Sequence, residues 1–110
     1  MERLVKGDII ILPFPYSNLS YSKKRPALVI ATIDNINIIA CQITSQFRQD
    51  GFSIEISDSD FEQGQLKKNS YARPGLLFTA ARSIVLYKAG HLRNSKINEV
   101  EEAIIKIIRS

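Results

Sequence analysis

Apolar residues occur in short runs over the first two thirds of the chain. Residues 8–12 and 27–32 are rich in Ile, Leu and Val, and each run is bounded by proline or polar residues. Residues 37–44 form another such run, after the turn signal Asp34-Asn35. Runs of this length and composition predict strands, and the first two have the pattern of strands buried on both faces.

The middle of the chain changes its pattern twice. Residues 53–57 alternate between polar and apolar side chains, which predicts a half-buried strand. Residues 58–63 are predicted to form one helical turn, with Ser57 or Asp58 as its cap and Gly64 at its end.

Turn residues divide the next segment. Residues 70–73 and 76–81 have the composition of strands, and the turn signal Pro74-Gly75 stands between them. Two further strands are therefore predicted here, and residues 84–87 are expected to continue the sheet.

The C-terminal segment has helical rather than strand periodicity. Ser95 is a predicted N-cap, and an apolar stripe at helical spacing is formed by Ile97, Val100, Ile104, Ile107 and Ile108. Short strands followed by one amphipathic helix predict a mainly β fold. The expected architecture is a small SH3-like β-barrel with a C-terminal helix, rather than a βαβ sheet.

Length and composition favour one globular domain over residues 1–110. The chain has 110 residues, and 45% of them are hydrophobic, which is typical of a folded protein and not of a disordered one. The apolar runs are too short to span a bilayer, and no signal peptide is expected. The single cysteine, Cys41, cannot form an internal disulfide, which favours a reducing compartment and a cytoplasmic location. Its apolar surroundings predict a small buried side chain.

The formal net charge is +4, and the basic residues are partly clustered. Clusters occur at Lys23-Lys24-Arg25, at Lys67-Lys68 and at Arg73. This distribution is compatible with a polyanionic partner such as nucleic acid, while solvated surface charge is the alternative interpretation.

Most catalytic arrangements have no support in the sequence. The single histidine, His91, has no nucleophile placed beside it, so a structural or surface role is predicted. No Cys/His pair has the spacing of metal ligands, and the acidic run at 58–62 is typical of a solvated helix start. No glycine-rich phosphate loop is present. The sequence therefore predicts neither a metal nor another cofactor.

Metal-free cleavage of RNA is the chemistry that the remaining residues favour. RNA carries its own nucleophile, the 2′-OH, so cleavage needs a proton acceptor, a cation beside the phosphorane and a proton donor for the 5′ oxygen. Arg25 has a planar guanidinium that can hold two phosphate oxygens. Thr44 offers a hydroxyl at a strand end, and Ser20 or Ser22 can add donors from the preceding loop.

The order of these parts resembles the MazF/PemK family of toxin endoribonucleases. The resemblance rests on the strand 7–12, a polar loop and then Lys24-Arg25-Pro26, followed by Ile43-Thr44-Ser45-Gln46 and Asn69-Ser70-Tyr71. It covers most of the chain. It implies a sequence-selective, metal-independent mRNA interferase that forms a homodimer and is silenced by a small antitoxin protein.

The resemblance also implies site residues. Arg25 and Thr44 are the expected catalytic residues, with Arg25 acting as acid, base or phosphate clamp. The permanent positive charge of a guanidinium favours the clamp. The expected substrate-binding residues are Ser17, Ser20, Ser22, Lys23, Lys24, Ser45, Gln46 and Arg73.

Two other functions are compatible with the same fold. A non-catalytic toxin of the same fold, like the gyrase poison CcdB, would bind a protein target and would not need Arg25 and Thr44. A nucleic-acid-binding SH3-like module is the other alternative.

The chain departs from the family pattern in two places. It has Thr79-Ala80-Ala81 where some relatives carry Gln or Glu, which predicts different base contacts, and its first loop has no glycine.

Overall fold

An antiparallel sheet that curls around one helix organises the chain. The structure is a computed structural model, and it describes residues 3–15, 22–47, 49 and 51–110. Within these residues the strands are β1 (Asp8–Pro15), β2 (Ser22–Thr32), β3 (Asn37–Thr44), β4 (Ile54–Ile56), β5 (Phe61–Gly64), β6 (Ser70–Ala81) and β7 (Tyr87–Leu92). The helix α1 spans Asn94–Arg109, and short 3-10 helices lie at Asp58–Asp60 and Arg82–Ile84.

The strands follow the order β4-β6-β3-β2-β1-β7-β5, and each neighbouring pair is antiparallel. The sheet forms a half-barrel, with β4 and β5 at its two ends in this order. The predicted mainly β fold with a C-terminal helix is therefore confirmed.

Two groups of buried side chains cover the two faces of this sheet. The helix-side core contains at least one residue from every strand together with three from α1: Ile9, Leu28, Cys41, Ile43, Ile56, Phe61, Ala72, Leu92, Ile97, Val100 and Ile104. The second core contains Leu4, Ile10, Leu12, Ala27, Val29, Ile38, Ala40, Ala80 and Val85. Ile9 lies in the helix-side core and Ile10 and Leu12 lie in the second core, so both faces of β1 are covered, which explains its uninterrupted apolar run.

The predicted N-cap is wrong by two residues. Arg93 is the N-cap, the helix begins at Asn94, and Ser95 lies inside the first turn. Ile97, Val100 and Ile104 are buried as the apolar stripe predicts. Ile108 is 71% exposed and lies outside the helix-side core, so the stripe is buried over fewer turns than predicted. None of the helices in the described ranges has the length and apolar character needed to cross a membrane.

The turn predicted at Pro74-Gly75 is wrong, because β6 continues through these residues. The register between β3 and β6 shifts at this point: Leu77 lies opposite Cys41, whereas Ala72 lies opposite Ile43. Between these two residue pairs β6 has more residues than β3, so β6 bulges here. A proline has no N–H for the ladder, and a bulge is where a strand tolerates it.

The helical turn predicted over residues 58–63 is correct only at its start. Ser57 is its N-cap, and the backbone N–H of Ser57 donates to the Asp60 carboxylate at 2.8 Å. Phe61 then begins β5, where its ring is buried in the helix-side core. Burial of this ring explains why the chain extends instead of continuing the turn.

Close packing of β5 against β7 accounts for Gly64. Its φ is +76°, and a Cβ at this position would lie 2.1 Å from the carbonyl oxygen of Ala89. The strand expected at 84–87 is also displaced, since the 3-10 helix ends at Ile84 and β7 begins at Tyr87.

Candidate active site

A groove of about 910 Å³ crosses one end of the sheet. Its walls come from the start of β2, the end of β3, the segment between β5 and β6, and the start of β7. The described residues that line it are Ile11, Lys23, Lys24, Arg25, Pro26, Ile43, Thr44, Ser45, Gln46, Gln65, Leu66, Lys67, Lys68, Ser70, Tyr87, Lys88 and Ala89.

The pairing of β2 with β3 explains why Arg25 and Thr44 meet at this groove. Leu28 lies opposite Cys41 and Ala27 lies opposite Gln42. Because the strands are antiparallel, two further residues along each strand lead to Arg25 and Thr44 at the same end. Both side chains are half-buried and both line the groove. Two residues 19 positions apart in sequence are therefore brought together by register.

The Thr44 hydroxyl has a structural contact as well as a place in the groove. Its Oγ1 accepts a hydrogen bond from the backbone N–H of Gln46 at 3.1 Å. This local bond fixes the first residues after β3, as hydroxyl side chains do in turns. Ser45 and Gln46, two of the expected substrate-binding residues, are exposed there and both line the groove; their role stays a prediction.

Positive charge dominates the groove. Six of the lining residues are cationic, and none of the described lining residues is Asp or Glu: the six are Lys23, Lys24, Arg25, Lys67, Lys68 and Lys88. A concave surface of one sign focuses the field and attracts polyanions. Together with the neutral donors of Ser45 and Gln46, the groove can bind phosphate groups along a chain.

Sequence reasoning missed part of this lining. The pair Lys67-Lys68 was recognised as basic but was not assigned to the site, because its distance from Arg25 in the sequence gave no reason to join them. No motif or composition in the sequence indicated Gln65 or Tyr87 as site residues. Lys88 is a single lysine in an otherwise mixed segment, and only the pairing of β7 with β1 places it beside the groove.

A buried carboxylate holds Lys88. Asp8 is fully buried, and its Oδ1 lies 3.2 Å from Lys88 Nζ and 2.8 Å from His91 Nδ1. Its Oδ2 accepts a hydrogen bond from the backbone N–H of Val5 at 2.8 Å. Of the two roles predicted for His91, structural or surface, this contact with a buried carboxylate favours the structural one.

Cys41 is a buried thiol next to β6, as predicted. It is fully buried, and its Sγ donates to the carbonyl oxygen of Arg73 at 3.1 Å. Burial raises the pKa of the Cys41 thiol to about 12, an effect that the Arg73 backbone, as a donor to the thiolate, and the charge of that residue only partly oppose. The Arg73 side chain is half-buried and does not line the groove, so its part in substrate binding stays a prediction.

Some predicted residues cannot be placed. Ser17 and Ser20 lie outside the described residues, and Ser22 is described only by its backbone at the start of β2. In the described part of the chain, no group of three or more His, Cys, Asp or Glu side chains is arranged to hold a metal ion.

Comparison with protein families decides the classification. The model of the family described as "PemK-like, MazF-like toxin of type II toxin-antitoxin system" matches residues 5–108. The chain belongs to this family. The resemblance that the sequence motifs indicated is thereby confirmed, and it extends beyond the motifs to nearly the whole chain.

Solved structures of an endoribonuclease and of MazF share the fold at low sequence identity. A MazE–MazF complex from Deinococcus radiodurans superposes with a TM-score of 0.77 at 15% identity, covering 98% of each chain. An endoribonuclease in complex with its cognate antitoxin from a mycobacterial species gives a TM-score of 0.75 at 13% identity, covering 97% of this chain and 96% of that one. No curated protein matches the sequence.

Proposed function

We propose that this chain is a toxin of a type II toxin–antitoxin system and that it cleaves single-stranded mRNA without a metal ion. Family membership supports the toxin assignment. The single observation that carries the catalytic part is that Arg25 and Thr44 line one cationic groove. We further propose that residues 1–110 form one domain and that the protein acts in the cytoplasm.

The reaction uses the 2′-OH of the RNA as its nucleophile. The 2′ oxygen forms a bond to phosphorus, the bond from phosphorus to the 5′ oxygen breaks, and one proton passes from the former oxygen to the latter through the groups of the site. The products are a 2′,3′-cyclic phosphate, or its opened 3′-phosphate, and a 5′-OH. No water and no metal ion is needed for this first step.

Arg25 is assigned to the phosphate at the scissile bond. Its guanidinium can donate two parallel hydrogen bonds to non-bridging oxygens, and it stays charged while negative charge grows on the phosphorane. A guanidinium has donors only and keeps its proton in proteins, so it is a poor proton acceptor. We therefore assign Arg25 as phosphate clamp, with transfer of a proton to the leaving oxygen as the other role open to it.

Thr44 is assigned to positioning at the same phosphate. A hydroxyl at the end of a strand is held more rigidly than one in a loop, and the bond from Gln46 N–H orients it further. The hydroxyl hydrogen is left to donate toward the substrate, because the oxygen is the acceptor in that bond. The Thr44 hydroxyl can thus donate to the substrate while it accepts from Gln46 N–H.

The other predicted residues are assigned to the RNA strand on either side. Lys23, Lys24, Ser45 and Gln46 line the groove and supply charge and neutral donors. Ser17, Ser20, Ser22 and Arg73 stay assigned to substrate binding on sequence grounds alone.

We propose a homodimer and a small antitoxin as the protein partners. One structure of similar fold is an endoribonuclease in complex with its cognate antitoxin, and another is a MazE–MazF complex. An acidic segment that folds on contact can fill a cationic groove and exclude RNA. Hydrogen exchange at Lys23–Arg25 should slow when antitoxin binds, and unchanged exchange there would contradict occlusion of the groove. Light scattering of the purified protein tests the dimer.

One experiment separates this proposal from its rivals. The purified protein is incubated with a mixed RNA pool in EDTA, and both ends of each cut are identified chemically. Cleavage with cyclic-phosphate and 5′-OH ends is expected, and Arg25→Ala prepared in parallel should lose it. A strict Mg²⁺ requirement or 5′-phosphate ends would refute the mechanism. RNA binding without cutting would instead favour a nucleic-acid-binding module, and growth inhibition without RNA binding would favour a toxin directed at a protein.

A further inference from the structure

An aromatic pair adjoins Thr44 and Gln46, two residues that line the groove. The rings of Phe47 and Tyr71 contact edge to face, with centroids 5.6 Å apart and an angle of 67° between the ring planes. Tyr71 is half-buried on β6, whereas Phe47 is 59% exposed. Tyr71 therefore supports a ring whose surface is mostly open to solvent.

The sheet places this pair next to the proposed catalytic residues. Tyr71 lies directly opposite Thr44 in the ladder between β3 and β6, so the two side chains share a face of the sheet. Phe47 follows Gln46 directly, and the backbone of Gln46 is held by the Thr44 hydroxyl. Both aromatic residues are thus tied to the position of Thr44.

Among the described residues, neither core accounts for the exposure of Phe47. The ring belongs to neither of the two cores, and it lies where a polar residue would be better solvated. An exposed aromatic ring beside a row of cations is the combination that single-stranded nucleic acid uses, because phosphates meet the charges and bases stack on the rings.

We propose that Phe47, supported by Tyr71, is a stacking site for an unpaired RNA base next to the scissile phosphate. The proposal rests on the proposed function, since it assigns the base adjoining the phosphate that Arg25 and Thr44 hold. Stacking requires only an aromatic face, so the site accepts a purine or a pyrimidine and contributes affinity more than sequence choice.

The charge of the adjoining groove favours a nucleic acid over an apolar peptide segment. The described lining carries six cationic residues and no acidic one, which suits one phosphate after another along a strand. An apolar peptide on Phe47 would leave that charge unmatched. The antitoxin is the other macromolecule that can cover this edge, and the experiment below distinguishes it.

The chain has no tryptophan, which provides a direct probe. Phe47→Trp introduces a single tryptophan at the proposed site, and its fluorescence is titrated with a 2′-O-methyl RNA pool that binds but cannot be cleaved. Stacking should change this fluorescence, and the same pool made with abasic nucleotides should change it much less. Ile36→Trp is the matched control, since Ile36 is 66% exposed just before the opposite end of β3 and its signal should not respond.

Kinetics of wild type and variants give the second measurement. Phe47→Ala should raise KM roughly 10- to 100-fold, as loss of one base–aromatic stack does, with kcat little changed. Phe47→Tyr keeps an aromatic face and should restore most of the affinity. Ile36→Ala should behave as wild type.

Several results would overturn the stacking site while leaving the nuclease intact. They are an unchanged tryptophan signal at saturating RNA, a KM for Phe47→Ala equal to that of wild type, or equal responses to base-containing and abasic pools. Loss of antitoxin binding in Phe47→Ala with unchanged RNA affinity would assign the ring to the protein partner instead. A wild-type protein that neither binds nor cuts RNA would refute the proposed function itself, and this inference with it.

Discussion

Nδ1 of His91 lies 2.8 Å from Oδ1 of Asp8, a carboxylate with no exposure to solvent. The same oxygen lies 3.2 Å from Nζ of Lys88, which lines the groove. The Asp8 carboxylate therefore stabilises the contact of β1 with β7 and also holds Lys88 in position at the candidate site. Removing it should affect the fold first, because its neighbours would be left without their acceptor.

Asp8→Ala is expected to lower the free energy of unfolding by about 3–5 kcal/mol, the cost of breaking one partner out of a buried ion pair. Urea denaturation followed by circular dichroism measures this change. Glu102→Gln, an exposed change on α1, is the control and should stay within about 0.5 kcal/mol of wild type. Equal stabilities for Asp8→Ala and wild type would show that the carboxylate is not needed to hold Lys88 and His91.

Arg25→Ala is expected to lower the cleavage rate by about 10²–10³, the usual effect of losing one preorganised charge at a transition state. Arg25→Lys should recover only part of the rate, since an ammonium cannot form the two-pronged contact of a guanidinium. Single-turnover cleavage at saturating protein measures both variants. Wild-type rates in a folded Arg25→Ala protein would move the active site elsewhere.

Thr44 variants distinguish its chemical role from its local hydrogen bond. Thr44→Val keeps the shape but removes both the hydroxyl donor and the acceptor for Gln46 N–H, so it should fold and bind RNA yet cut slowly. Thr44→Ser keeps the hydroxyl and should retain most of the rate. Cleavage rates and RNA affinities of the two variants are compared. A Thr44→Val protein that unfolds would make Thr44 a structural residue.

The lysines between β5 and β6 should contribute to the salt dependence of RNA binding. For single strands the slope of log K against log salt changes by roughly 0.7 for each phosphate contact. Lys67→Gln combined with Lys68→Gln should therefore flatten the slope by about twice that amount if both lysines contact phosphates. Binding is measured at several salt concentrations by fluorescence anisotropy. Lys106→Gln, on the exposed surface of α1, removes a charge away from the groove and should leave the slope unchanged.

Cys41 should make the stability depend on pH above the ordinary thiol value of 9.0. Burial raises the pKa of this thiol to about 12 in the folded protein, so between these values the folded state holds a proton that the unfolded state has lost. The resulting stabilisation is full below pH 9 and declines as the pH rises toward 12. The free energies of unfolding of wild type and Cys41→Ala are measured over about pH 8 to 11. Their difference gives the contribution of the Cys41 thiol to stability at each pH. A difference that does not fall with pH would contradict the raised pKa.

The sequence by itself determined the class of the fold and the family. The uninterrupted apolar run in β1 and the helical stripe at Ile97, Val100 and Ile104 depend on local periodicity, which short segments carry without help from the rest of the chain. The motifs around Arg25 and Thr44 led to the same family that the comparison over residues 5–108 supports. The burial of Cys41 was predicted from its apolar neighbours, and a structural or surface role for His91 from the lack of a nucleophile beside it.

The tertiary structure decided which residues share the site. Lys67, Lys68 and Lys88 are far from Arg25 in sequence, and only the order of strands in the curled sheet brings them to one groove. The bulge at Pro74-Gly75 and the short β5 also depend on long-range pairing, because a local turn signal carries no information about the neighbouring strand. The contact of Phe47 with Tyr71 has the same origin: it follows from the register of β3 and β6, which joins residues that no local pattern connects.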